Sequence, residues 1–350
     1  MKRRIVINVL KSLLFSGLLA LLFFQISYLY RGGLAHTRRN LSGFYACRKN
    51  SLDVVFVGTS GTFSAFCPMD AWEQFGFASY NFCVNCMSTN AMPYALTEIV
   101  KTQKPKVIAI DVHSFIRHNR TMEQSERDAR YNTDAYRYSL NRARLIHNCV
   151  PKSFGRLSYY FDILKYHDSS FSPGFAINGA RHNVDKGFNN LQWGIVEAPV
   201  MTNETKALEP LFDSDLTALM EKCRKLGIQV LFFTYPYGNF APDSISCLHY
   251  IQKRVQDAGF DFLDCEAFFD AFSFDCTRDF WEGAHFNIYG AQKVTAIVGG
   301  MLKERYDLPD RRDDPRYSDW NDDLEDWHEN VVRYREDIDR LREAGMASQL

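Results

Sequence analysis

A chain of 350 residues with 46% hydrophobic and 24% charged residues has a globular balance that excludes global disorder. Its length exceeds a typical domain of ~100–200 residues but suits one elaborated α/β domain. A formal net charge of −1 leaves no electrostatic case for nucleic-acid binding, and no nucleic-acid partner is expected.

The N-terminus is basic over Met1 to Arg4, and Ser12 to Tyr30 then runs 19 residues without a charge. That is about the ~20 residues a helix needs to cross a bilayer. The apolar stretch is long for a signal-peptide core, and no A-x-A cleavage signal closes it. Residues 1–30 therefore read as a short stub and an uncleaved anchor, with the bulk of the protein on the far side of the membrane. Arg31, Arg38, Arg39, Arg48 and Lys49 follow the helix, so charge asymmetry alone leaves the opposite orientation open. Residues 31–50 read as a polar tether.

Asp53 to Val57 is a run of apolar, mostly β-branched residues that suits a buried parallel strand. It breaks at Gly58-Thr59-Ser60-Gly61-Thr62, where small residues let the chain turn and present Ser60 at the carboxyl end of the strand. In open α/β sheets that edge binds ligands. A short helix over 70–75, a strand over 78–83, a helix over 90–102 and a strand over 106–112 follow. Strands alternating with helices of this length predict a parallel sheet with right-handed crossovers.

Residues 113–205 interrupt that rhythm and are rich in Arg, Tyr, Asn and Phe. So long a stretch should carry helices of its own, and it is expected to cap the cleft. The alternation resumes with a helix over 213–226, a strand over 228–233, a helix over 248–258, a strand over 260–264 and a closing helix over 288–306. The domain is expected to span 51–309. Residues 310–350 form a charge-dense tail, with helices expected at 322–333 and 335–344 and alternating charges that read as a solvated face.

The high aromatic share, 15%, is most simply core, with a sugar- or acyl-binding cleft as the alternative. Nine cysteines lie at irregular intervals; Cys83 and Cys86 form a lone CxxC without a second pair at zinc-finger spacing. The histidines outside 113 and 285 show no metal-ligand spacing, so neither metal nor cofactor is expected.

A serine hydroxyl needs a base within reach, an acid to orient that base, and donors for an oxyanion. Glu282-Gly283-Ala284-His285 supplies acid and base just before the last helix. The α/β-hydrolase signature G-x-S-x-G is broken by Thr62, and the chain order also disagrees. With Gly58-Thr59-Ser60 after the first strand and Glu282-x-x-His285 ahead of Asn287-Ile288-Tyr289-Gly290-Ala291, the chain resembles the SGNH (GDSL-type) hydrolases over about residues 51–305. In style it is similar to their membrane-anchored members that work in alginate O-acetylation and teichoic-acid D-alanylation. The resemblance implies a flavodoxin-like three-layer α/β/α fold with Ser60 as nucleophile, His285 as base and Glu282 as orienting acid. It also implies action on acyl esters of a cell-surface glycan or an acylated carrier, beside a membrane-bound O-acyltransferase.

Several positions depart from the family pattern. Glu282 stands for the usual aspartate, with Asp279 as a substitute acid. Where the family has N-x-G after the second strand, this chain has Asn81-Phe82-Cys83, which leaves the Cys83 amide or Asn85 as oxyanion donors. Where an asparagine usually follows the third strand, His113 stands instead. These departures keep a second reading open: a non-catalytic glycan-binding or scaffold subunit on the same fold.

Overall fold

The computed structural model describes residues 2–29, 35–116, 125–167 and 181–345. Residues 31–34 of the expected tether, residues 117–124 (with His118) and 168–180 of the insertion, and residues 346–350 of the tail lie outside these.

Helix α1, Lys2–Leu29, is long and apolar enough from Arg4 to Ser27 to cross a membrane, and its most apolar window is not buried in the protein. The expected tether is mostly helix: α2, Ala35–Ala46, packs on the second strand with Leu41 and Phe44 inward. The polar composition hid this short apolar stripe, whose i, i+3 spacing puts both residues on one face.

The sheet begins with β1, Val54–Gly58, followed by α3, Ser60–Ala65, α4, Pro68–Phe75, β2, Ser79–Cys83, α5, Met92–Ile99, and β3, Val107–Asp111. The insertion carries the helices expected of it: α6, His113–Ile116, α7, Glu126–Thr133, α8, Leu140–Cys149, α9, Leu157–Tyr160, and α10, Ile163–Tyr166. The α/β alternation returns with α11, Pro210–Leu226, β4, Gln229–Thr234, α12, Pro242–Asp257, and β5, Asp261–Asp264. A hairpin not expected from the sequence follows, β6, Phe280–Glu282, and β7, His285–Phe286; then come α13, Ile288–Arg305, and α14, Ser318–Glu343.

The five strands of the main sheet are all parallel in the order β2-β1-β3-β4-β5, the order of flavodoxin-type doubly wound sheets. The strands β1, β2 and β3 are buried throughout, which is why β1 and β3 read as continuous apolar runs rather than alternating ones. From β1 the chain moves to one side to make β2, then crosses back to make β3 on the other. The crevice outside the carboxyl ends of β1 and β3 is therefore the topological switch point, where such sheets bind ligands. Ser60 follows β1 and His113 follows β3.

The tail corrects a second expectation. Instead of two helices with a solvated face, α14 is a single helix that buries Trp320, Trp327, Val331 and Ile338. It packs on α4 and α13, and Trp327 donates to Asp70 at 2.7 Å. Arg311, ahead of it, pairs with the buried Asp53 at 2.9 Å, tying the tail to the start of β1.

Candidate active site

Ser60 is the first residue of α3, so the strand-to-helix turn sets it at the rim of the sheet. Thr59 caps the helix: its hydroxyl accepts from the Gly61 amide at 3.3 Å, while the Thr62 hydroxyl accepts from the Thr59 amide at 3.1 Å. Thr62, the residue that breaks the hydrolase signature, thus fastens the turn, and it also donates to Asp111 at 2.7 Å. The flanking glycines serve close approach, since neither has a positive φ. A Cβ on Gly58 would meet the Thr62 hydroxyl, and one on Gly61 would lie 2.7 Å from the Ala284 carbonyl oxygen.

The second half of the site is the β6–β7 hairpin. Its two-residue turn, Gly283-Ala284, sets Glu282 directly across from His285. Backbone bonds from Gly194 to Phe280 at 2.9 Å and from Val196 to Cys276 at 3.0 Å lay the end of the insertion alongside. The Ser64 hydroxyl accepts from the Phe286 amide at 3.3 Å, which joins α3 to the histidine strand. Asn287 caps α13 by accepting from the Tyr289 amide, and Gly290 passes so near the Asp279 carbonyl that a Cβ would sit 2.3 Å from it.

These supports bring together residues 225 positions apart. The Ser60 hydroxyl lies 2.7 Å from His285 Nε2, and Glu282 Oε1 lies 2.5 Å from His285 Nδ1. The carboxylate sits off the axis of the ring N–H, so the contact is electrostatic rather than an aligned hydrogen bond. Asp279 is not the acid: it is fully buried and occupied by Lys293 at 2.6 Å, Arg278 at 3.0 Å and the Asp275 amide at 2.8 Å.

The pocket beside Ser60 has a volume of about 20 Å³, lined by Thr59, Ser60, Gly61, Cys86, Met87, His113, Ser114, Ala284 and His285. Neither Cys83 nor Asn85, the expected donors, is among these lining residues. Cys83 lies inside the β1–β2 ladder, fully buried, opposite Gly58. Burial also pushes its thiol well up, so it is no thiolate nucleophile. Asn85 is bound to Thr37, its side-chain oxygen accepting from the hydroxyl at 2.7 Å and its backbone amide donating to it at 3.2 Å. The loop instead delivers Cys86 and Met87, with Cys86 at φ 50° as the turn into the pocket. Asn132 of α7 holds that loop through the Cys86 carbonyl at 2.9 Å and the Ser88 amide at 3.0 Å. The Ser60 amide, first in its helix, has no intrahelical acceptor and lies beside the pocket as a candidate backbone donor.

His113 does line the pocket, tilted against Tyr237 with ring centroids 4.4 Å apart. Beneath it lies a polar cluster not anticipated from the sequence. Asp111, buried at the end of β3, accepts from the Tyr237 hydroxyl at 2.5 Å, Thr62 at 2.7 Å and the His113 amide at 2.9 Å. Burial pushes its carboxyl up to about 6 against the pull of these donors. Tyr237 is held at its other end by buried Glu266, which accepts its amide at 2.8 Å and whose carboxyl burial also raises. Of the insertion's described residues, only His113 and Ser114 line the pocket.

Among the described residues no group of three or more His, Cys, Asp or Glu side chains gathers as a metal site, and all nine cysteines are unpaired. No protein-family model matches the chain, and no curated protein matches it.

Proposed function

We propose that this protein is a membrane-anchored serine esterase or O-acyltransferase of the SGNH type, with its α/β domain outside the cytoplasm. One observation carries the reading: Ser60, His285 and Glu282 come together at the switch point of a parallel sheet, with the 2.7 Å Ser60–His285 contact at the centre. A fastened nucleophile-base pair in a crevice is what acyl transfer requires.

Ser60 Oγ attacks the ester carbonyl carbon as its proton passes to His285 Nε2. Negative charge gathers on the carbonyl oxygen, towards the Ser60 amide. The C–O bond to the leaving alcohol then breaks, and His285 returns the proton to that alcohol. Water or a glycan hydroxyl, deprotonated by the same histidine, releases the acyl group from Ser60. Glu282 stabilises the imidazolium formed in each half. A pocket of about 20 Å³ holds little more than one water-sized group, which favours a short acyl chain with the rest of the substrate outside. The α1 anchor favours a surface glycan or acylated carrier as substrate, with a membrane-bound O-acyltransferase as partner.

The second reading, a glycan-binding or scaffold subunit, draws on the off-axis approach of Glu282 to His285. Full-length protein treated with a fluorophosphonate probe and with p-nitrophenyl acetate separates the two. Labelling and acetate release that disappear in Ser60→Ala establish catalysis; a folded wild type that neither labels nor releases acetate establishes the scaffold.

A further inference from the structure

The anchor helix does not leave the domain as a free stalk. Phe23 and Phe24 in its last turns pack on Phe161 with ring centroids 5.2 and 5.3 Å apart, and Phe24 meets Tyr138 edge-on. Ser27, fully buried, shares a hydrogen bond with the Tyr138 hydroxyl at 2.9 Å and accepts from the Ile163 amide at 3.3 Å. Ser27 also ends the membrane-compatible stretch. If α1 spans the bilayer, the elements that touch Ser27 sit at headgroup depth.

Those elements are unusual in their exposed side chains. Leu140 at the start of α8, Leu157 in α9 and Leu164 in α10 are 78%, 62% and 44% exposed, although each helix has apolar neighbours to pack against. The exposed charge beside them is mostly positive, Glu126 of α7 being an exposed carboxylate that pairs with Lys165 at 3.1 Å. Between Leu140 and His167 the sole carboxylate is Asp162, which is buried against Arg142 at 2.7 Å, while Arg144, Lys152 and Lys165 are exposed. Exposed leucines among exposed cations, continuous with a spanning helix, match the chemistry of a membrane interface.

We infer that helices α8–α10 form a membrane-docking face, whose leucines enter the headgroup–acyl boundary of an anionic bilayer on the side where α1 emerges. This rests on α1 being a membrane span. Because Asn132 of the same insertion holds the Cys86–Ser88 loop, docking fixes the height of the catalytic pocket above the lipid. Substrate is then met close to the membrane surface rather than along the length of a projecting polymer.

The test uses full-length protein in phosphatidylcholine–phosphatidylglycerol vesicles with brominated acyl chains, which quench tryptophan on contact. Single substitutions Leu140→Trp and Leu157→Trp report on the face. Leu14→Trp reports on α1, and Val332→Trp, exposed on α14, is the control. The expected result is extra quenched emission at 14, 140 and 157 and none at 332. Quenching at 14 without quenching at 140 and 157 overturns the docking face and leaves the anchor standing. Equal quenching at all four positions also overturns it, and no quenching at 14 overturns the docking face together with the anchor.

Discussion

Ser60 sits at a junction fastened on several sides, whereas Glu282 reaches His285 from the outer arm of a short hairpin. At the nucleophile, Thr59 and Thr62 cap each other, Thr62 is clamped to Asp111, and Gly61 lies under the Ala284 carbonyl. All of this is buried or nearly so. At the acid, the Glu282 side chain is 34% exposed, against 9% for His285, and its contact is off the hydrogen-bond axis. Ser60 and His285 are set by packing, while Glu282 is set mainly by local hairpin geometry and solvent. Perturbations at the two ends should therefore differ in size.

The largest effect belongs to the pair itself. His285→Ala removes the proton acceptor and should lower the fluorophosphonate labelling rate by about 10²–10⁴, the usual worth of a positioned general base. Stopped labelling time courses at fixed probe concentration measure it, and a loss under tenfold would detach His285 from the chemistry. Next comes the buried clamp. The Asp111 carboxyl is raised from 3.8 to about 6 by burial, so the folded protein holds a proton that the unfolded chain releases. Its contribution to stability is full below pH ~4 and is lost as pH rises through about 6. At ~1.4 kcal/mol per pKa unit this amounts to about 3 kcal/mol. Asp111→Asn should flatten that part of the pH dependence. Melting temperatures of wild type and variant between pH 4 and 7 test it, and a difference between them that stays constant with pH contradicts it.

Gly61→Ala probes the seam between the two regions. Its Cβ would lie 2.7 Å from a backbone oxygen that cannot swing away, so α3 and the hairpin must separate by several tenths of an ångström. Misplacement approaching 1 Å costs on the order of 10² in rate. Labelling should fall by about 10–10² while Ser60 and His285 remain chemically intact. Unchanged labelling would mean that the junction is looser than its contacts imply.

The two ends also differed in how well they could be read from the sequence. Buried parallel strands announce themselves as apolar runs, so β1 to β5 and the serine at the end of β1 were legible, as was the Glu282–His285 block. The hairpin that carries this block was hidden because β6 and β7 are too short to show a period. The loop after β2 was harder to read, because Cys83 sits in the strand ladder opposite Gly58 and Asn85 pairs with Thr37, both long-range contacts. A non-glycine residue in the left-handed region at Cys86 leaves no mark in sequence. Asp111 and Tyr237 lie at the carboxyl ends of their strands, a position that alone would have nominated them. In α14 the spacing of Trp320, Trp327, Val331 and Ile338 was visible, but charge density outweighed it, although a helix needs only a narrow apolar stripe to bury one face.

The smallest effect is expected where the comparison is sharpest, at Glu282. In a fully buried triad the acid fixes the histidine tautomer, and losing its charge is nearly as damaging as losing the base. Here the carboxylate is a third exposed, and a pair in that setting is worth roughly 0.2–1 kcal/mol. Glu282→Gln keeps the shape and removes the charge, so labelling should fall by less than about tenfold. The loss should shrink further at high salt, because screening already weakens an exposed pair in the wild type. Labelling rates of both proteins in low and high salt give the answer. A loss as large as that of His285→Ala, insensitive to salt, would mean that hairpin and carboxylate close into an aligned, water-excluded contact when substrate binds, and the acid end would then be as firmly held as the nucleophile.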